Sequence, residues 1–176
     1  MAILHSARLR FEPMSEAHFD GLRVLNADPD VMRHVSGRPE TAEETQASIA
    51  RVQARWLEHG HSWWVLIERA TDELIGAGCI QHLGHAPGNP LEIGWRLRPD
   101  RWGQGYAIEA AERMARFAFE DLGAPLLRAI CAPENDKSAR VMEKLGMHAC
   151  GHETWHEHNV LAYEIERAAW LARAEA

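Results

Sequence analysis

Two periods of apolar residues run through the chain, and the switches between them mark out its elements. Near the start, Leu9 and Phe11 alternate with Arg8 and Arg10, which predicts a strand over 8–11. Phe19, Leu22 and Leu25 then recur at helical spacing behind Ser15, a good cap. A second helix is predicted from Thr41, because Thr41-x-x-Glu44 is a capping-box pattern. Ile49, Val52 and Trp56 supply its apolar stripe and Gly60 its stop. Strand patterns return at 63–68 and 74–82, joined by the polar turn Thr71-Asp72-Glu73. Trp63 and Trp64 face opposite sides there, so one is expected in the core and the other in a cleft. After a loop over His85–Pro90, Leu91–Leu97 forms a third strand. Ile93, Trp95 and Leu97 share one of its faces, and Glu92, Gly94 and Arg96 share the other.

Beyond Pro99 a helix is predicted over 106–122, with Ala107, Ala111, Met114, Ala118 and Leu122 at helical spacing and Gly123 after them. A short apolar strand follows over 126–132, then a helix capped by Asn135 and running to Leu145, ended by Gly146. Two last strands fall near 148–155 and 160–166. That order predicts an α+β fold around one mixed, mostly antiparallel sheet of about seven strands, with about four helices on its faces. The 176 residues suit one domain spanning 1–176, and no repeat, low-complexity tract or linker divides them.

Composition narrows the function. Apolar residues at 46% and charged residues at 26% are an ordinary balance for a soluble globular chain. A formal charge of −7 leaves no basic excess to displace counterions, so nucleic acid is not an expected partner. It suits cationic amine substrates. The segment from Met1 to Pro13 holds no apolar run long enough for a signal peptide or a membrane span, so no membrane partner is expected. Cys79, Cys131 and Cys150 are odd in number, far apart and free of any CxxC pair, which points to a reducing cytoplasm.

Two segments carry the candidate chemistry. Leu97 to Ala107 joins a strand to a helix, and Gly103 and Gly105 let its backbone turn tightly so that several N–H groups converge. They converge at a helix N-terminus, where unpaired donors and a partial positive charge favour a pyrophosphate. About thirty residues on, Pro133-Glu-Asn135-Asp-Lys-Ser138 also follows a strand and caps a helix. An ordinary strand-to-helix turn and an ordinary N-cap explain each segment on its own.

Taken together with Glu92-Ile-Gly-Trp-Arg-Leu97 and Glu143-Lys-Leu-Gly-Met147, these segments resemble the GCN5-related N-acetyltransferase (GNAT) superfamily, in particular its RimJ/RimL-like ribosomal-protein branch. The resemblance runs from the opening strand to Arg167 and implies a sheet splayed at a site for acetyl-CoA. It makes Trp102, Gly103, Gln104, Gly105, Tyr106 and Ala107 the pyrophosphate loop, with Trp102 where the wider pattern has Gln or Arg. Leu97 would lie beside the pantetheine arm, and Asn135 would hydrogen-bond the cosubstrate.

The implied reaction is direct acetyl transfer to a primary amine, with no covalent acyl-enzyme and no required metal. The acceptor is a protein N-terminal amine or, in the same fold, a small amine or antibiotic. Glu92 is the candidate base, from residue type, its strand face and the resemblance. Met142 stands where many family members have an acidic Tyr, so Ser138 is the candidate donor to the leaving thiolate. A homodimer is compatible with the sequence. Two readings of other classes stand beside this one. The missing Tyr suits a CoA-binding regulatory module without catalysis. His152-Glu153-Thr-Trp-His156 matches the zinc-protease signature H-E-x-x-H, which works only on a helix, whereas Gly151, Thr154 and Asn159 favour a strand or turn. His82 and His85 are a thinner metal hint, better read as cleft residues.

Overall fold

The computed structural model describes residues 2–155 and 157–173. The chain opens with β1 (Leu4–His5) and β2 (Leu9–Pro13), followed by α1 (Phe19–Asn26), α2 (Pro29–Met32) and α3 (Ala42–His59). Then come β3 (Trp63–Glu68), β4 (Glu73–His82), β5 (Leu91–Leu97) and α4 (Tyr106–Arg116). The remainder is β6 (Leu126–Cys131), α5 (Asp136–Lys144), β7 (His148–Trp155), β8 (His158–Glu166) and α6 (Arg167–Arg173). The eight strands form one mixed sheet in the order β1-β2-β3-β4-β5-β6-β8-β7, and β5 and β6 run parallel within it. Among the described residues there are eight strands and six helices, against about seven and about four expected; β1, α2 and α6 are the additions.

The residues divide into two compact units. One comprises the chain up to Cys79 together with Trp95–Ala110, and the other Ile80–Gly94 with the chain from Ala111 on. In the first unit, Thr41 and Glu44 close both halves of the capping box at the start of α3. Ile49, Val52 and Trp56 are buried along its inner face, and the left-handed Gly60 ends it. The Trp56 ring meets Trp64 edge-on at 4.9 Å, and its indole N–H donates to the Trp63 carbonyl, so α3 is fixed to β3 by packing and polarity together. Gly76 lies where β4 presses on β5: a Cβ there would sit 2.4 Å from the Arg96 carbonyl oxygen, so no other residue fits.

In the second unit, β6 buries Leu127, Ala129 and Cys131 in strict alternation and pairs with β8 along its whole length. The helix expected over 106–122 is shorter: α4 ends at Arg116 and the chain continues as a π turn over Phe117–Asp121, where Leu122 donates to the Phe117 carbonyl. α6 brings Trp170 within 5.6 Å of Phe119.

Candidate active site

The first unit carries the glycine loop. A single-turn helix over Pro99–Arg101 follows β5, and α4 begins at Tyr106. Gly103 and Gly105 have φ of 72° and 81°, the left-handed region that side-chain-bearing residues avoid. Nothing lies within 4 Å of the space a Gly103 Cβ would take, so the loop offers bare backbone to its surroundings. The first amides of α4 have no helical acceptor and point out of its N-terminus. An anion fits there by charge and by shape.

Side chains brace this loop rather than line it. Trp102 donates its indole N–H to the Leu97 carbonyl at 2.8 Å, tying the loop to the end of β5. Gln104 donates from its amide to the Asp100 carbonyl, and its own carbonyl accepts from Arg8. Tyr106 is buried with its hydroxyl on Glu68, so its side chain braces the loop and its backbone is what the cradle can offer. Glu68 also pairs with Arg101, and Glu109 in α4 pairs with Arg8 and accepts from Ser6. Hydrogen bonds from Tyr106 and Thr71 hold the Glu68 carboxyl below its ordinary range. This lattice, which fixes the N-terminus of α4, was not anticipated from sequence; its members are scattered single residues with no common motif.

The second unit carries Glu92, Asn135 and Ser138. The paired register of β5 with β6 runs only Leu91 to Leu127 and Glu92 to Arg128, although both strands continue. Glu92 is half-buried and accepts a single hydrogen bond, 3.3 Å, from the Gln81 amide. Burial pushes its carboxyl up to about 7, and the Gln81 contact only partly offsets this. Its register neighbour Arg128 does not relieve it, being held by Glu153 at 2.6 Å and Glu164 at 3.6 Å. Gln81 was missed in the sequence, where only its place on β4 could have singled it out.

Asn135 caps α5: its Oδ1 accepts from the Ser138 N–H at 3.2 Å, which leaves the Nδ2 amide as a donor. Ser138 is partly exposed in the first turn, and Met142 one turn on is core. Cys131 ends β6 buried, and burial raises its thiol to about 11, far from a nucleophile at neutral pH. His82 turns a ring nitrogen to the Asn89 carbonyl and helps fix the loop after β4.

The zinc-protease reading fails on geometry. His152 lies in β7, a strand, with Nδ1 against Asn159 Oδ1, and Glu153 is committed to Arg128 and Trp155. The second histidine of that motif, His156, lies outside the described residues.

Residues 8–148 match the family model described as an acetyltransferase (GNAT) domain. A curated relative is the FsC-acetyl coenzyme A-N(2)-transacetylase of Aspergillus fumigatus, 36% identical over 129 residues. That match takes in 68% of this chain but spans only about half, 54%, of the fungal protein. Among solved structures, an acetyltransferase from Agrobacterium tumefaciens is 31% identical with a TM-score of 0.81, covering 94% of this chain and 95% of that one. RimL, a ribosomal α-N-protein acetyltransferase solved in complex with coenzyme A, shares the fold at a TM-score of 0.80 and 17% identity, covering 94% and 98%.

Proposed function

This chain belongs to the GNAT family of N-acetyltransferases, and from that premise we propose that it moves an acetyl group from acetyl-CoA directly onto a primary amine, with Glu92 as the base. The observation that carries the reading is a carboxyl raised to about 7 at the residue where β5 leaves β6. A base with that pKa is half-ionised near neutrality and takes a proton from an ammonium or attacking amine without holding it too tightly. Acetyl-CoA supplies a thioester carbon, whose C–S bond breaks as the C–N bond forms. The amine proton goes to Glu92, and the Ser138 hydroxyl donates to the departing sulfur and is reprotonated from solvent. Gly103, Gln104, Gly105 and the first amides of α4 hold the pyrophosphate, with Trp102 fixing the loop to Leu97, and Ala107 following in the first turn. By the family resemblance, the Asn135 Nδ2 adds a donor, and Leu97 at the end of β5 offers backbone groups to the pantetheine amides.

The family match draws on residues of both compact units, which supports reading 1–176 as one transferase domain. The three cysteines, scattered over β4, β6 and β7, favour the cytoplasm, and no helix among the described residues is long and apolar enough to cross a membrane. Calorimetric titration with acetyl-CoA, on the native chain and on Gly105→Trp, tests the cradle. Binding is expected in the first and lost in the second. Absence of binding to the folded native chain would sink the transferase reading, and full turnover by Glu92→Gln would remove Glu92 from it.

A further inference from the structure

Arg96 follows Glu92 by four residues on the same face of β5, and its surroundings lie within the first compact unit. Its guanidinium carbon sits 4.9 Å over the Trp63 ring. Its Nε is sealed from solvent without a hydrogen-bond partner, and among the described residues no carboxylate pairs with it. Burial pushes this guanidinium down from its ordinary value, and Glu40 and the Cys79 thiol offset that only through space. Glu40 is already occupied, accepting from Asn26 at 2.9 Å and from Thr45 at 3.4 Å. A second guanidinium, Arg55 of α3, is also half-buried and depressed by burial and by the like charge of Arg51; it too senses Cys79. A chain with a formal charge of −7 therefore keeps an uncompensated cation beside an aromatic face, on the strand that carries its candidate base.

A half-buried cation left without a carboxylate partner is costly, and a fold that only needed volume would place an apolar residue there. The cost is recovered if a ligand brings the missing anion, as a planar guanidinium presents a fork of donors that matches a carboxylate. We propose that Arg96, stacked on Trp63, is the recognition point for a carboxylate carried by the acceptor amine. The acceptor is thus an amino acid or a peptide with an acidic side chain close to its amine, rather than a simple cationic amine. This rests on the transferase reading and names the substrate class of its site.

The test compares ω-amino carboxylates, from glycine to 6-aminohexanoate, with their primary amides. Peptides with Asp or Glu after the N-terminal residue are compared likewise with their Asn or Gln counterparts. Both kcat/KM and, independently of turnover, calorimetric binding in the presence of CoA are measured for the native chain, Arg96→Gln and Arg96→Met. The carboxylate member of at least one pair is expected to exceed its amide by roughly 10- to 100-fold, the range of a charge-assisted contact. Either variant should bring that ratio to about threefold or less, with the fall lying in the carboxylate's value. Which series shows the ratio identifies a free amino acid or a peptide as the source. Equal binding of carboxylate and amide by the native chain, or a preference that survives both variants, overturns the proposal and leaves acetyl-CoA binding as evidence for the transferase. Failure to bind acetyl-CoA removes the transferase reading, and the carboxylate-against-amide titration still decides Arg96. Thermal melting separates a structural role: Arg96→Met should raise Tm by about 2–4 °C, whereas a bracing arginine would lower it.

Discussion

Glu92 ties stability and activity to one ionisation, and Glu92→Gln separates them. In the folded chain its carboxyl titrates near 7, against an ordinary value of 4.5. Below 4.5 the group is neutral in both states and costs nothing; as pH rises through 7 the unfolded chain ionises freely while the folded one resists. Stability is therefore lost with rising pH, by about 3 kcal/mol once both states are ionised and by about 1 kcal/mol at pH 5. Glutamine keeps the shape and can still accept from the Gln81 amide, but it carries no charge to bury. Denaturant unfolding of native chain and variant should show the variant ahead by about 3 kcal/mol at pH 8, shrinking to about 1 kcal/mol at pH 5. Over the same range, turnover by the native chain should rise through pH 7, and the variant should lose roughly 100-fold or more at pH 8. The acceptor's own ammonium adds a second limb to the rate profile, so the unfolding measurement is the cleaner one. A stability difference that is the same at both pH values would refute the argument, since a packing effect carries no pH dependence.

Three further outcomes follow from named contacts. Thr41→Ala opens the capping box of α3 and should lower stability by about 1 kcal/mol, read as a Tm lower by about 2–4 °C with acetyl-CoA affinity unchanged. Asn135→Asp keeps the oxygen that caps α5 but replaces the Nδ2 donor with a charge, so acetyl-CoA should bind roughly tenfold more weakly at near-native Tm. Asn135→Ala should lose both affinity and stability. Ser138→Ala should slow turnover by roughly tenfold with acetyl-CoA binding intact; an unchanged rate would remove its hydroxyl from the chemistry.

Most of the fold was legible because the informative residues sit next to one another in the chain. The apolar run from Trp63 to Glu68, the alternation from Leu91 to Leu97, the Thr41 box and the Asn135 cap all specify local geometry, and the expected strands and helices form there. α2 was missed although Asp28-Pro29 is a cap followed by a first-position proline; four residues are too few for a periodic stripe. The end of α4 was misplaced because Phe117, Ala118 and Phe119 are all buried, so their apolar run hides the change from α to π. In the candidate site, the glycine loop and Glu92 could be read because backbone conformation and strand alternation are sequence-local. The partners could not. Arg128 stands beside Glu92 in register but turns to Glu153, and the isolation of Arg96 depends on residues from three separated segments.

The two charges on β5 explain why isolation, more than presence, marks the site. Elsewhere in the chain the guanidiniums that meet carboxylates are bracing ones: Arg8 with Glu109, Arg101 with Glu68 and Glu73, Arg128 with Glu153. Glu109, Glu68 and Glu153 are held below the ordinary carboxylate range by these contacts and so are poor proton acceptors. Among the described residues, Glu92 has an amide against it, and Arg96 has an aromatic face, with Glu40 and the Cys79 thiol acting on it through space. Had Arg128 turned toward Glu92, the carboxyl would have fallen below its ordinary range and ceased to be a base near neutrality. Had Glu40 reached Arg96, the guanidinium would have been neutralised before any acceptor arrived. The Arg128–Glu153 pair and the Asn26–Glu40 contact each occupy, within their own compact unit, a group that would otherwise extinguish a charge on β5. Breaking the first with Glu153→Gln should therefore lower the apparent pKa of Glu92, as Arg128 is released toward it. The assay is the pH dependence of unfolding just described. An unchanged transition near pH 7 in Glu153→Gln would mean that Arg128 is held away from Glu92 by Glu164 or by the strand itself and not by Glu153.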